Sequence, residues 1–152
     1  MTEENVTKTL LNWLIKRNWQ IVCFDFPQSG TGILLHPNNK SSEKNKDSIN
    51  VDIVAVRDNI CVFLENKNRF CYSDYKKINF LINENEYSKS IENLLSDYTV
   101  DKIYYGIGIP SNKHSKQSKD SEKLVDFILG VEETGGVSVL YNPKSVNFNN
   151  CI

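Results

Sequence analysis

The sequence predicts an α/β fold: a single domain with a mixed central sheet flanked by helices on both faces. Its 152 residues are the length of one ordinary domain, and the 39% hydrophobic and 24% charged residues are typical of a globular chain. Helical and extended patterns follow one another along the chain, and two neighbouring extended runs are apolar on both faces. Strands of that kind lie in the middle of a sheet that helices cover on each side.

The N-terminal third predicts a helix, a strand and a loop. Apolar residues at helical spacing between 3 and 17, after a capping Thr2, predict an amphipathic helix. The acidic residues Glu3 and Glu4 in its first turn interact favourably with the helix dipole. The β-branched and aromatic run 19–26 stops at a proline and predicts a strand. A glycine-containing turn and a short apolar piece follow, and the polar run 37–50 predicts an exposed, mobile loop.

The two runs that are apolar on both faces, 51–56 and 60–64, flank Asp58-Asn59, a pair that suits a tight hairpin turn. A two-residue turn there places Asp52 directly opposite Glu65. Cross-strand partners lie ~4.5–5.5 Å apart, so two carboxylates in this relation destabilise the pair unless something compensates for the repulsion.

The remaining chain predicts one long broken helix or two short ones from 73 to about 98, then a strand at 102–109. A helix at 121–129, which Gly130 could cap, and a last strand at 137–141 complete the order, and the Asn-rich tail is expected to fray.

Charged side chains converge at one end of the hairpin. Period-two alternation puts Glu65 and Lys67 on one face with Asp52, while Asn66 points to the other face. Two adjacent carboxylates are a natural oxygen site for Mg²⁺, which takes a few carboxylates and keeps several waters. The Lys67 ammonium can orient or deprotonate one of these waters, and the sequence leaves open whether it acts as a neutral base or as a fixed charge.

These residues resemble the PD-(D/E)XK nuclease superfamily: Asp52, then Glu65-Asn66-Lys67 on the next strand, within a helix–strand frame. The resemblance covers about residues 3–109. It implies a restriction-endonuclease-like αβββαβ core with an added C-terminal helix and strand, and a single nuclease-like domain over 1–152. The motif departs from the family at Val51, where the family has proline.

Members of this family are Mg²⁺-dependent phosphodiesterases. The resemblance implies that Asp52, Glu65 and Lys67 are catalytic, and that Asp52, Glu65 and the main-chain carbonyl of Asn66 bind Mg²⁺, with Mn²⁺ as a substitute. The expected activity is that of a DNA endonuclease, either type II restriction-like or a defence nuclease. Cutting both antiparallel strands calls for two-fold symmetry, so a homodimer is expected.

Three alternatives stay open. The first is a Holliday-junction resolvase or DNA-repair nuclease of the same fold. The second is a non-catalytic nucleic-acid-binding or interaction module that retains the fold. The third is an α/β domain unrelated to nucleases, in which the hairpin acids are accidental. The sequence does not separate DNA from RNA as substrate.

Nucleic-acid contacts must be local, because the net charge is −1. Residues 110–123 carry four lysines against two acids, whereas 84–101 carry one lysine against five acids. Expected contacts combine the basic loops and the glycine-containing turn, namely Ser29, Lys40, Lys44, Lys46, Lys113, His114 and Lys116. For each of them, an ordinary solvated surface or turn is the alternative.

Four cysteines without a C-x-x-C pair predict neither a zinc cluster nor a disulfide framework. No apolar run approaches the ~20 residues of a membrane span, and no secretory signal or transit peptide is recognisable at the N-terminus. A cytoplasmic protein without a membrane partner is therefore expected.

Overall fold

A mixed six-stranded sheet with helices on both faces forms the centre of this α/β protein in a computed structural model, which describes residues 1–25, 33–38 and 48–149. The elements in chain order are α1 (Glu3–Lys16), β1 (Gln20–Phe24), β2 (Ile33–Leu35), β3 (Ile49–Val51), β4 (Ile53–Arg57), β5 (Ile60–Asn66), α2 (Tyr72–Asn83), α3 (Ser88–Leu94), β6 (Lys102–Pro110), α4 (Lys116–Ser121), β7 (Phe127–Val131) and β8 (Val137–Tyr141). Short 3₁₀ turns at Ser111–Lys113 and Glu122–Leu124 flank α4. In the described ranges, no helix is both long and apolar enough to cross a membrane.

The strand order across the sheet is β1-β4-β5-β6-β7-β8. Strand β4 is antiparallel to both of its neighbours, β1 and β5. Strands β5, β6 and β7 are parallel to one another, and β8 is antiparallel to β7. The carboxyl ends of three parallel strands therefore lie at one edge. Strands β2 and β3 form a separate antiparallel pair.

The predicted N-terminal helix and central hairpin are confirmed. The Thr2 side chain accepts a hydrogen bond from the Asn5 backbone N–H and caps α1. Arg57 pairs with Ile60 across a two-residue turn whose residues, Asp58 and Asn59, both have positive φ. This is the conformation that a tight hairpin turn needs and that Asp and Asn tolerate.

Each face of the sheet carries its own apolar core. Alternate residues of β4 and β5 point to opposite faces, so Ile53 and Leu64 pack with Leu10 of α1, whereas Val54 and Phe63 pack on the other side. On that second side, α2 contributes its buried stripe, Tyr75, Ile78 and Leu81. The interruption between α2 and α3 gives the two short helices that the sequence allowed.

The predicted helix at 121–129 is wrong. Only a short helix, α4, and a 3₁₀ turn precede Val125, and Phe127–Val131 is strand β7. Its residues are all buried, with Phe127 and Leu129 facing the α1 side and Ile128 the α2 side. A short apolar run of this kind has no periodicity that distinguishes a buried strand from a buried helix.

Gly130 lies within β7 and does not cap a helix. A Cβ at this position would collide with Ser111 and with Leu140 of the neighbouring strand β8, so the glycine permits close packing in the sheet.

The C-terminal segment up to 149 packs against the protein, contrary to the expectation of fraying. Val146 and Phe148 are buried, and the Phe148 ring contacts Trp13, Trp19 and Phe127. Buried Arg57 donates hydrogen bonds to the carbonyls of Asn147 and Asn149, which holds the segment against the hairpin turn.

Candidate active site

The predicted site residues lie where β5 ends. Glu65 and Asn66 are the last two residues of β5, Lys67 follows, and Asp52 lies in the bend between β3 and β4. The hairpin turn brings Asp52 close to Glu65, because the register that starts at Arg57 and Ile60 continues to Ile53 and Leu64.

The register changes at Asp52, where the sequence predicted a direct pair with Glu65. Leu64 is the partner of Ile53, yet the Asp52 N–H also donates to the Leu64 carbonyl at 3.0 Å. Two consecutive residues of one strand therefore face one residue of the next, the arrangement of a β-bulge. The predicted strand 51–56 is thus divided into β3 and β4, and Asp52 is not the ladder partner of Glu65.

The bulge turns the Asp52 carboxylate towards the end of β5. Its Oδ2 accepts the backbone N–H of Asn66 at 2.7 Å. The Asn66 side chain points to the opposite face, as predicted, and its Nδ2 donates to Thr7 Oγ1 of α1 at 3.0 Å. Only the main chain of Asn66 is therefore available to the acidic side of the sheet.

Burial and mutual repulsion keep the two carboxyls from ionising easily. Burial raises the pKa of Asp52 to about 6, against the lowering effect of the Asn66 N–H and of nearby lysines. Burial, together with the neighbouring Asp52, raises the pKa of Glu65 to about 7, against the lowering effect of Lys77. Half-buried Asp52 and buried Glu65 therefore resist ionisation, and a cation close to them would favour their charged forms.

Lys77 of α2 is the site residue that sequence reasoning missed. Its Nζ lies 2.8 Å from Glu65 Oε2 and donates to the Asn50 carbonyl at 3.1 Å. Asp74, one turn earlier on α2, is also buried, and its Oδ2 accepts no hydrogen bond from any described residue. The available signal was this pair of charges, spaced three residues apart within a helix that packs on the sheet.

Lys67 is oriented towards the N-terminus of α1. Its Nζ lies 3.4 Å from Glu3 Oε1, and both side chains are about one-third exposed. Partial burial opposes the charge on Lys67, but Asp74, Glu3 and Glu65 surround the ammonium and hold its pKa above the ordinary value. Of the two roles left open by the sequence, this environment favours the fixed positive charge over the neutral base.

The carboxylate and carbonyl oxygens of this site are the type of ligand that Mg²⁺ prefers. The described residues contain no group of three or more His, Cys, Asp or Glu side chains placed to hold a metal. Mg²⁺ is bound through one or two carboxylates and keeps several waters, so Asp52 and Glu65 supply the number of carboxylates it needs. Burial raises both pKa values even with Lys77 beside Glu65, and a bound cation would lower them.

The structure describes three of the expected nucleic-acid contacts, all in the segment that follows β6. Lys113 and Lys116 are exposed in the segment after β6, but the His114 side chain is only 9% exposed and faces Glu122 at 4.0 Å. Burial lowers the pKa of His114, which argues against a phosphate contact by this residue. The other four expected contacts, Ser29, Lys40, Lys44 and Lys46, lie outside the described residues.

Comparisons with family models, with curated proteins and with solved structures gave no match to this chain. The interpretation of the site therefore depends on its own geometry and chemistry.

Proposed function

We propose that the protein is a Mg²⁺-dependent endonuclease that hydrolyses phosphodiester bonds in DNA, of the restriction-like or defence type. The observation that carries the proposal is the meeting of half-buried Asp52 and buried Glu65 at the carboxyl end of β5, with Lys67 directly after it. The order of α1, β1, β4, β5, α2 and β6 supports it, because it follows the αβββαβ pattern of the nuclease superfamily with β2, β3 and α3 added.

In this proposal, Asp52, Glu65 and the carbonyl of Asn66 hold the cation. Bound Mg²⁺ would supply a water of lowered pKa and neutralise charge on the phosphate. The Asn66 N–H keeps Asp52 oriented, since it donates to Oδ2 at 2.7 Å. Lys67 is charged and one-third exposed, so it stabilises the negative charge that develops on the phosphodiester. Lys77 offsets the charge of Glu65 from the side of α2.

The test is incubation of the purified protein with plasmid DNA and Mg²⁺, beside Asp52→Asn, Glu65→Gln and Lys67→Gln. Cleavage by the wild type and its loss in all three variants is the expected result. Asp58→Asn is the matched control, because it makes the same acid-to-amide change at the exposed turn of the same hairpin and keeps a residue that tolerates positive φ.

Discrete fragments from linear duplex would assign a restriction-like enzyme, whereas cleavage of branched DNA alone would assign a junction resolvase or repair nuclease. Cleavage of RNA alone would move the proposal to a ribonuclease. If plasmid, branched DNA and RNA all stay intact with Mg²⁺ and with Mn²⁺, the nuclease proposal is wrong.

A second candidate, a non-catalytic nucleic-acid-binding module that retains the fold, is favoured by one contact. Lys77 already neutralises part of the Glu65 charge at 2.8 Å, which a site without a metal would need. In that case nucleic acid binds equally well in Mg²⁺ and in a chelator, and Asp52→Asn binds like the wild type.

The proposed homodimer is tested by sedimentation with and without duplex DNA. Two active sites of opposite orientation are required to cut both strands in one encounter. A monomer at all concentrations, with and without duplex, would contradict the dimer while leaving single-strand nicking intact.

A further inference from the structure

A cleft of about 560 Å³ opens at the edge where the three parallel strands end, and Asn68 of its lining directly follows Lys67. One wall is a line of α1 that includes Asn5, and the other consists of the segments that follow β5, β6 and β7. Its volume is within the ~300–1,000 Å³ of small-molecule sites, and ligands of α/β sheets bind outside the carboxyl ends of strands.

The lining is rich in groups that read the edge of a planar polar molecule. Side-chain amides come from Asn5, Asn68 and Asn112, and a carboxylate comes from Glu133. Asn112 Nδ2 makes a long contact of 3.4 Å to Glu133 Oε1. Amides and carboxylates are the side chains that pair with base edges, and a carboxylate accepts from an exocyclic amino group.

The charges of the cleft disfavour phosphate as its ligand. The lining contains one lysine, the exposed Lys113, and two acids, Glu132 and Glu133. Glu132 accepts hydrogen bonds from the hydroxyls of Ser111 and Ser138, both at 2.7 Å, which stabilise it as a carboxylate. The buried residues Pro110 and Val131 form the apolar part of the lining.

Lys67 and Glu3 lie between the cleft and the acidic site. Lys67 directly precedes Asn68, and Glu3 lies on the same helix as Asn5, so their 3.4 Å ion pair separates the two regions. The cleft and the acidic site are thus neighbours along the chain at Lys67 and Asn68.

We infer that this cleft binds an unpaired nucleobase with an exocyclic amino group, next to the phosphate at the acidic site. The inference rests on the proposed function for the identity of the ligand. In this inference the cleft selects the base next to the cleavage position, by contacts from Glu133, Asn112 and Asn68. A base inside duplex DNA has to leave the stack to enter, which favours single-stranded or distorted substrate.

The test measures binding rather than cleavage. Asp52→Asn protein in a chelator is titrated with a fluorescein-labelled oligothymidylate, and with the same oligonucleotide carrying one deoxycytidine or one abasic position. The deoxycytidine oligonucleotide is expected to bind about tenfold more tightly than either of the others. Adding Glu133→Gln or Asn112→Ala removes that difference, while Thr134→Ala in the same turn preserves it.

Equal affinity for the three oligonucleotides, or a preference that survives Glu133→Gln, would overturn the inference. The exposed positions of Asn112 and Glu133 make unfolding of the variants unexpected, and thermal denaturation verifies this. The two proposals fail separately. A base preference without cleavage of plasmid, branched DNA or RNA would contradict the nuclease proposal and support base binding in the cleft. Plasmid cleavage without a base preference would support the nuclease proposal and contradict base binding in the cleft.

Discussion

Lys77 Nζ lies 2.8 Å from Glu65 Oε2, so the ammonium of a helix offsets the charge of a buried carboxylate at the end of a strand. Glu65 is 6% exposed and has a second acid, Asp52, beside it. Because the pair of acids repels, Lys77 contributes to stability whenever no other cation is present.

Lys77→Gln is expected to lower the free energy of unfolding by about 1–3 kcal/mol at pH 8 in a chelator, since a buried charge loses its partner. Urea denaturation measures this. Lys76→Gln, the neighbouring lysine on the exposed side of α2, is expected to change stability by no more than about 0.5 kcal/mol. Equal losses in the two variants would contradict the structural role of the Lys77–Glu65 pair.

The pH dependence of stability follows from the raised pKa values of the two acids, about 6 for Asp52 and about 7 for Glu65. A folded-state pKa above the unfolded value means that the folded protein binds more protons. Preferential protonation of the folded protein therefore makes its full contribution to the free energy of unfolding below about pH 4, and this contribution is lost as the pH rises through 6 to 7.

In a chelator, Glu65→Gln is expected to be more stable relative to the wild type at pH 8 than at pH 5. Denaturation midpoints in urea at both values provide the measurement, with Asp58→Asn as the control. If the difference in urea midpoint between the wild type and Glu65→Gln does not vary with pH, burial does not raise the pKa of Glu65.

Mg²⁺ is expected to raise the melting temperature of the wild type and not that of Asp52→Asn. A ligand that binds only the folded state stabilises it by about 2.7 kcal/mol at a hundredfold excess over its Kd. Asp58→Asn should respond like the wild type. An equal response of Asp52→Asn would place the cation somewhere other than the acidic site.

Gly108→Ala is expected to cost about 1–3 kcal/mol of stability, because a Cβ there would collide with the Asn66 amide oxygen and with Leu10 of α1. The same change displaces Asn66, whose N–H orients Asp52, so the response of the melting temperature to Mg²⁺ should weaken as well. Gly136→Ala is the control, since a Cβ there meets only the Glu132 side chain at 3.9 Å. Similar melting temperatures for the two variants would contradict the packing.

Local sequence patterns predicted the parts of the fold that local interactions decide. The apolar period and Thr2 predicted α1, and Asp58-Asn59 predicted the turn that sets the register of β4 and β5. That register brought Glu65 close to Asp52. The same patterns failed at 127–131, where burial on both faces removes the periodicity that distinguishes a strand from a helix.

The sequence by itself determined the N-terminal helix, the central hairpin and the approach of Asp52 to Glu65 at its end. The tertiary structure alone decided the bulge at Asp52, the approach of Lys77 from α2 and the cleft between α1 and the ends of β5, β6 and β7. The physical reason is the range of the interactions. A turn and an apolar period act over a few residues, whereas these three features depend on how separate elements pack across the sheet.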